Sequence, residues 1–320
     1  MKIGFWGTPS HAAEVLKVLL NSEFEVKAVY TGQDKPIGRG RSIRFNPVKV
    51  TALESNIPVW QPGRLDEKEV AEQLRDSGID VCVVAGYGQI LPASLLNVPK
   101  YGFLNIHPSL LPKYRGASPV ASAILHQQET TGGSIMVVDK NIDAGPLLAQ
   151  IETNISSVET AESLSNRLFV LGAHLLVQIL PNWFSGKLDF THQNASMATY
   201  TRKFVKEDGK IQWKNTAHEI CARLRAFSPW PGVYTHWSGN ILKIIEAYPI
   251  ENVSPGRPGT VIMLDKNPKS IGVCTGNGIV IITRLRLAGR RDTDTWSFTR
   301  GYPEFVGSVL ASDNQSEAEP

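Results

Sequence analysis

Apolar residues enter this chain in short runs separated by amphipathic segments. Residues 2–6, 26–31 and 81–85 read as buried strands, while 11–20, 48–55 and 66–77 carry apolar positions at helical spacing. The opening β-α-β succession predicts a parallel, doubly wound sheet, because a helical crossover joins parallel neighbours. A further strand at 103–106 breaks at Pro108 into a loop closed by Pro112. Helical pattern resumes after it, with Ser118 suited to an N-cap and Pro119 to the first helical position. Another strand, 133–138, runs into an acidic loop that ends at Gly145–Pro146. A long amphipathic helix is expected over 157–180, with Leu164, Leu168, Leu171, Leu175 and Ile179 near one face and Pro181 as its limit. From residue 233 the period changes to short strands at 233–237, 241–247, 259–264, 270–275 and 279–287. Thr275, Gly276, Asn277 and Gly278 form a hairpin-turn signal between the last two. The expected class is therefore α/β. A doubly wound, Rossmann-like domain spans 1–186, a polar linker 187–206, a small OB-like β-barrel domain 207–310 and a disordered tail 311–320.

Composition narrows the setting. A chain of 320 residues accommodates two ordinary domains, and 42% hydrophobic with 20% charged residues describes a soluble globular protein. No run reaches the roughly 18 apolar residues of a membrane span. The start, MKIGFWGT, lacks the basic-then-apolar order of a signal peptide. Cys82, Cys221 and Cys274 lie far apart, in neither a disulfide framework nor a metal motif, so a reducing cytoplasm is the expected compartment. The net charge of +3 is uneven: residues 206–310 hold fourteen Lys and Arg against nine Asp and Glu. Such a surplus describes either a solvated face or a surface for an anionic macromolecule. In the stretch 33–47, QDKPIGRGRSIRFNP, Arg39, Arg41 and Arg44 alternate with glycines and no apolar period. That segment is expected to be mobile, as a solvated loop or as an arm whose guanidinium groups reach phosphates or bases.

Candidate chemistry gathers at two strand ends. The strand at 103–106 and its loop supply Asn105 and His107, and the loop after 133–138 supplies Asp143. An amide, an imidazole and a carboxylate together give a hydrogen-bond donor, an acid/base and a group to orient or deprotonate it. The nearby residues form neither a G-x-S-x-G elbow nor a Cys/His pair, so a covalent acyl-enzyme is not indicated. Gly4 and Gly7 do not complete G-x-G-x-x-G, which argues against a dinucleotide dehydrogenase. In GYGQILP, 86–92, glycines expose backbone donors and acceptors beside the apolar Ile90, Leu91 and Pro92. Such a mixture suits a flat heteroaromatic such as a pterin, and a plain strand-to-helix turn fits the same residues.

Asn105, His107, the SLLP run at 109–112, Arg115–Gly116, Thr131–Gly132 and Asp143, Ala144, Gly145 stand in an order and spacing that resembles the folate-dependent formyltransferases. The resemblance implies 10-formyltetrahydrofolate as formyl donor, no metal, and catalytic roles for Asn105, His107 and Asp143. It also implies a folate pocket lined by Ser109, Leu110, Leu111 and Pro112 together with Gly86, Tyr87, Ile90 and Leu91. The stretches TYTRKF (199–204), GKIQW (209–213) and RAFSPWPG (225–232) resemble the C-terminal part of the methionyl-tRNA branch of that family. In that branch the loop matching Arg39, Arg41 and Arg44 enters the acceptor end of the tRNA, with Arg39 best matched. The implied partner is initiator methionyl-tRNA, acted on by a monomer with no membrane attachment. An aminosugar nucleotide is the alternative acceptor, since the aminosugar members share both halves but not the arginine loop. A binding module without catalysis would have no need of the Asn105, His107 and Asp143 set. Two positions depart from the pattern: Pro108 stands where many of the methionyl-tRNA branch have Gly, and Ser10–His11 replaces the usual acidic residue and Phe.

Overall fold

The computed structural model describes residues 1–37, 42–63, 65, 67–251, 256–264 and 270–311, so Arg39, Arg41 and the tail from 312 lie outside it. Two compact units emerge. The first comprises Met1–Pro119, Glu129–Ile155 and Ser163–Arg202; the second takes Val120–Gln128, Ser156–Glu162 and the described residues from Lys203 on.

In the first unit, strands β1 (Lys2–Gly7), β2 (Glu25–Tyr30), β3 (Lys35–Ile37), β4 (Ser42–Arg44), β5 (Val59–Trp60), β6 (Val81–Ala85), β7 (Phe103–His107), β8 (Arg115–Gly116), β9 (Thr130–Val137), β10 (Leu147–Asn154) and β11 (Tyr200–Thr201) follow in chain order. Seven of them form one sheet in the order β10-β9-β7-β6-β1-β2-β5. Strands β5 to β7 are mutually parallel, and β9 and β10 are added antiparallel. The reason lies in alternation: side chains two apart share a face of a strand. Ile3, Phe5, Val83, Leu104 and Ile106 meet helix α1 (Ser10–Leu20), helix α2 (Pro47–Glu54) and the later long helix in one buried cluster. Trp6, Tyr30, Cys82 and Phe103 point the other way, against helix α3 (Glu67–Asp76) and the single turn α4 (Ala93–Leu96). Two cores on two faces make the sheet doubly wound, as expected.

Three expectations are corrected. After helix α5 (Pro119–Leu125), the long helix α6 runs Ala161–Phe184 rather than 157–180, passing through Pro181. A proline removes one backbone donor, a small loss in the last turn. There, Trp183 donates to the Tyr101 carbonyl (3.2 Å) and the Tyr101 hydroxyl donates to the Phe184 carbonyl (3.1 Å), so packing carries the helix onward. At its start, the Ser156 amide is held by the Glu159 carboxylate in a turn that delays the helix. Although α6 has the length and composition of a membrane span, Leu164, Leu168, Phe169, Ala173, Leu176 and Leu180 along it are buried. Secondly, the arginine stretch expected as a loop contains an antiparallel pair, β3 with β4. Thirdly, the polar stretch expected as a linker over 187–206 is ordered against the first unit as far as Arg202. Thr191 and Leu147 exchange backbone bonds, and Tyr200–Thr201 pairs in parallel with Arg115–Gly116.

The second unit is antiparallel. Helix α7 (Ala217–Ala226) opens on a reciprocal cap between Thr216 and Glu219. Strands β12 (Val233–Trp237), β13 (Asn240–Ile250), β14 (Val261–Leu264), β15 (Ser270–Cys274) and β16 (Ile279–Leu287) pair in the order β12-β13-β16-β15-β14, with β17 (Thr293–Asp294) on β16 before helix α8 (Thr295–Gly301). The final described residues join both outer strands: Leu310 donates to Gly259, Val261 to Ser308, and Ala311 and His236 exchange bonds.

Candidate active site

Strand β7 places the first two groups. With Leu104 and Ile106 committed to one core and Phe103 to the other, alternation sets Asn105 and His107 on the Phe103 side. Among the described residues the Asn105 side-chain amide has no hydrogen-bond partner, so its donors are free to meet a ligand. His107 is only 4% exposed. Its Nε2 lies 3.0 Å from the Tyr114 carbonyl, an acceptor, so Nε2 carries a proton. Its Nδ1 lies 3.7 Å from Asp143 Oδ2, close enough for ion pairing and long for a direct hydrogen bond. In the imidazolium form, Nδ1–H is therefore the donor left for a ligand.

Asp143 arrives from the loop after β9 in the left-handed region, φ 49°. Its Oδ2 accepts the Gly116 amide at 2.8 Å, and its carbonyl and that of Gly145 accept the Gln193 side-chain nitrogen at 2.9 and 2.8 Å. The Gln193 oxygen accepts Arg115 Nη2 and Nε at 2.7 and 3.1 Å. Arg115 Nη1 reaches the Tyr200 hydroxyl at 3.3 Å, and the residue is 4% exposed. Gly116 has to be glycine: its φ is 102°, and a Cβ there would lie 2.4 Å from the Thr201 carbonyl oxygen. Of these groups, Gln193, Tyr114, Tyr200 and Thr201 were not among the sequence candidates. Gln193 sits in an aperiodic polar stretch that gives no signal of its role.

The SLLP run turns partly inward. Ser109 Oγ donates to the Lys113 carbonyl at 2.7 Å, the Leu111 amide donates to Ser134 Oγ, and the Leu111 carbonyl accepts Gln150 Nε2. Ser109 and Leu111 are buried, leaving Leu110 and Pro112 partly accessible. The loop after β6 divides in the same way. Tyr87 is buried edge-on against Trp6, 5.0 Å between ring centroids, and burial pushes its phenol up to about 12. Leu91 packs on the same core, whereas Gly86 and Gly88 are exposed with positive φ and Ile90 is 82% exposed. Because β6 and β7 are parallel neighbours, this loop and His107 leave the sheet at the same edge. The chain also reverses its strand order between β1 and β6, where doubly wound sheets receive ligands. Arg44, at the end of β4, is exposed.

A formyl transferase model matches residues 1–180, and a formyl transferase C-terminal domain model matches 203–303. The chain belongs to the formyl transferase family. Among formyl transferases, the methionyl-tRNA formyltransferase of Marinobacter nauticus is 41% identical over 291 residues, covering 91% of this chain and 93% of that protein. That of Lachnospira eligens is 38% identical over 315 residues, covering 97% and 99%. In three dimensions the chain is similar to the sugar 3N-formyl transferase WlaRD, with TM-score 0.62 at 19% identity, over 91% of this chain and 99% of the other. It also matches HypX from Aquifex aeolicus in complex with tetrahydrofolic acid, with TM-score 0.64 at 19% identity, spanning 97% of this chain and 48% of HypX. At such identities these two speak for the formyl transferase fold alone.

Proposed function

We propose that this formyl transferase moves the formyl group of 10-formyltetrahydrofolate onto the α-amine of initiator methionyl-tRNA, giving the N-formyl aminoacyl-tRNA used to start translation. The observation that carries the chemistry is the approach of the Asp143 carboxylate to the His107 ring, 3.7 Å, beside an unpartnered Asn105 amide. The relatives of nearly full length, named methionyl-tRNA formyltransferases, support the acceptor. The loop after β6 suits the donor, since Ile90 offers an apolar flank while Gly86 and Gly88 leave their backbone accessible. On this reading residues 1–186 form the catalytic domain, and 207–310 with Arg39, Arg41 and Arg44 face the RNA. A monomer acts in the cytoplasm.

An α-amine titrates near pH 8, so roughly a tenth is neutral and nucleophilic at pH 7. Its attack forms an N–C bond at the formyl carbon and moves a π pair onto the oxygen. The Asn105 side-chain amide donates to that oxyanion, as does His107 through Nδ1–H when the ring carries its second proton, while Nε2–H on the Tyr114 carbonyl keeps the ring in place. Asp143 accepts the proton lost by the amine, directly or through one water. Collapse then breaks the bond from carbon to the folate nitrogen, which leaves with the proton that Asp143 took from the amine.

The test is formyl transfer by the purified protein, with charged initiator tRNA and a nucleotide-linked aminosugar as rival acceptors. Turnover is expected on the tRNA alone. Asn105→Ala is expected to lower kcat by about 10²–10³, the usual effect of one lost oxyanion donor. An Asn105→Ala protein with normal turnover, or a preference for the aminosugar, would refute the reading.

A further inference from the structure

Arg115 is a buried cation without an acid. Among the described residues no carboxylate lies within ion-pairing distance of its guanidinium, which is spent on the Gln193 oxygen and the Tyr200 hydroxyl. A charge held this way needs compensation from oriented dipoles. Gln193 supplies one, and its orientation is unambiguous. Its oxygen faces two guanidinium donors and its nitrogen faces two carbonyls, those of Asp143 and Gly145. The reversed amide would set donors against donors and acceptors against acceptors. Polarisation by the cation strengthens the two N–H bonds on the far side of the amide. Those bonds end on the loop whose residue 143 sits in the left-handed region, a conformation that persists in a non-glycine residue only where its surroundings enforce it.

We propose that Gln193 is a positioning residue for formyl transfer: braced by Arg115, it fixes the backbone of Asp143 so that the carboxylate stays within reach of His107. The inference rests on the reading of Asp143 as the group that takes the amine proton. Gln193 touches no reacting atom, so its effect on chemistry passes through Asp143 alone.

The experiment is steady-state formyl transfer by Gln193→Met, which keeps the length of the side chain without its amide. It is run beside Gln193→Glu, Asp143→Asn and the two double variants with Asp143→Asn. Gln193→Glu keeps the acceptor for Arg115 but turns an oxygen toward both loop carbonyls. For both single changes at 193, kcat is expected to fall by about 10–100-fold, as a misplacement of about 1 Å would cause. KM for donor and tRNA is expected to stay within about twofold. In the Asp143→Asn background the same changes are expected to add less than about twofold, because residues acting as one unit are not additive. Wild-type kcat at either 193 variant, a rise in KM with kcat intact, or a full further loss on top of Asp143→Asn would overturn the proposal. Where Gln193→Met fails to fold, the Glu variant decides alone. Wild-type turnover by Asp143→Asn removes the underlying reading of Asp143. An inactive Asp143→Asn beside a fully active Gln193→Met removes only the positioning role.

Discussion

The imidazole of His11 lies nearly parallel to the Phe169 ring, with 4.3 Å between centroids and 17° between planes. Desolvation holds its pKa down at about 4, against 6.5 for a free histidine. Between those values the unfolded chain binds a proton that the folded chain refuses, so stability rises with pH across that window. The stabilisation is complete above about pH 6.5 and is lost as pH falls toward 4, by on the order of 2–3 kcal/mol. His11→Phe is expected to flatten that acid limb, keeping more of its pH 7.5 stability at pH 4.5 than the wild type does. Urea unfolding at both pH values checks this, and parallel pH dependence in the two proteins would count against it. At this scale the sequence was informative only where a side chain follows from the strand period. Asn105 and His107 fall two apart on an alternating strand whose other members are plainly apolar. Gln193 has no such frame, because its role depends on the cation beneath it and the loop above, both far away in the chain.

Among the elements, the short parallel pair of β8 with β11 bears most directly on the site. Its closeness is possible only because residue 116 lacks a side chain, and the Gly116 amide delivered there binds the Asp143 carboxylate. Gly116→Ala places a methyl carbon 2.4 Å from the Thr201 oxygen at φ 102°. A loss of about 1–3 kcal/mol in stability is expected, with reduced turnover. An unchanged urea midpoint would show that β11 can retreat at little cost. Elements with a strong period were legible, including four of the five parallel strands and the five main antiparallel strands of the second unit, whereas the two-residue β5 is too short to show one. Those decided by tertiary contacts were not. Proline chemistry predicts an end to α6 at residue 181, but Trp183 and Phe184 have partners beyond it. The ribbon of β3 and β4 carries no alternation that a sequence reading detects.

For the molecule as a whole, charge is the feature that burial does not decide. The surplus of five cations between residues 206 and 310 and the three arginines between 39 and 44 give an anionic macromolecule much to release counterions against. On the proposed function, KM for tRNA is expected to rise by about tenfold or more between 50 and 200 mM salt, while KM for the folate donor changes little. Arg39→Ala is expected to raise KM for tRNA several-fold and leave donor binding alone. Kinetics at the two salt concentrations decide this, and a salt-independent KM for tRNA would place the RNA away from the basic surface.

Strand β7 has neighbours on both sides, parallel on one and antiparallel on the other, with every second residue fixed in a core. One extra residue within it would turn Leu104 and Ile106 toward the reacting groups and drive the amide and imidazole into oil. Length variation is therefore tolerable only in the turns beyond the strand. An engineer wishing to reshape what this protein accepts has the loops after β6, β7 and β9 to work with, while the strand that carries the amide and imidazole is fixed by parity.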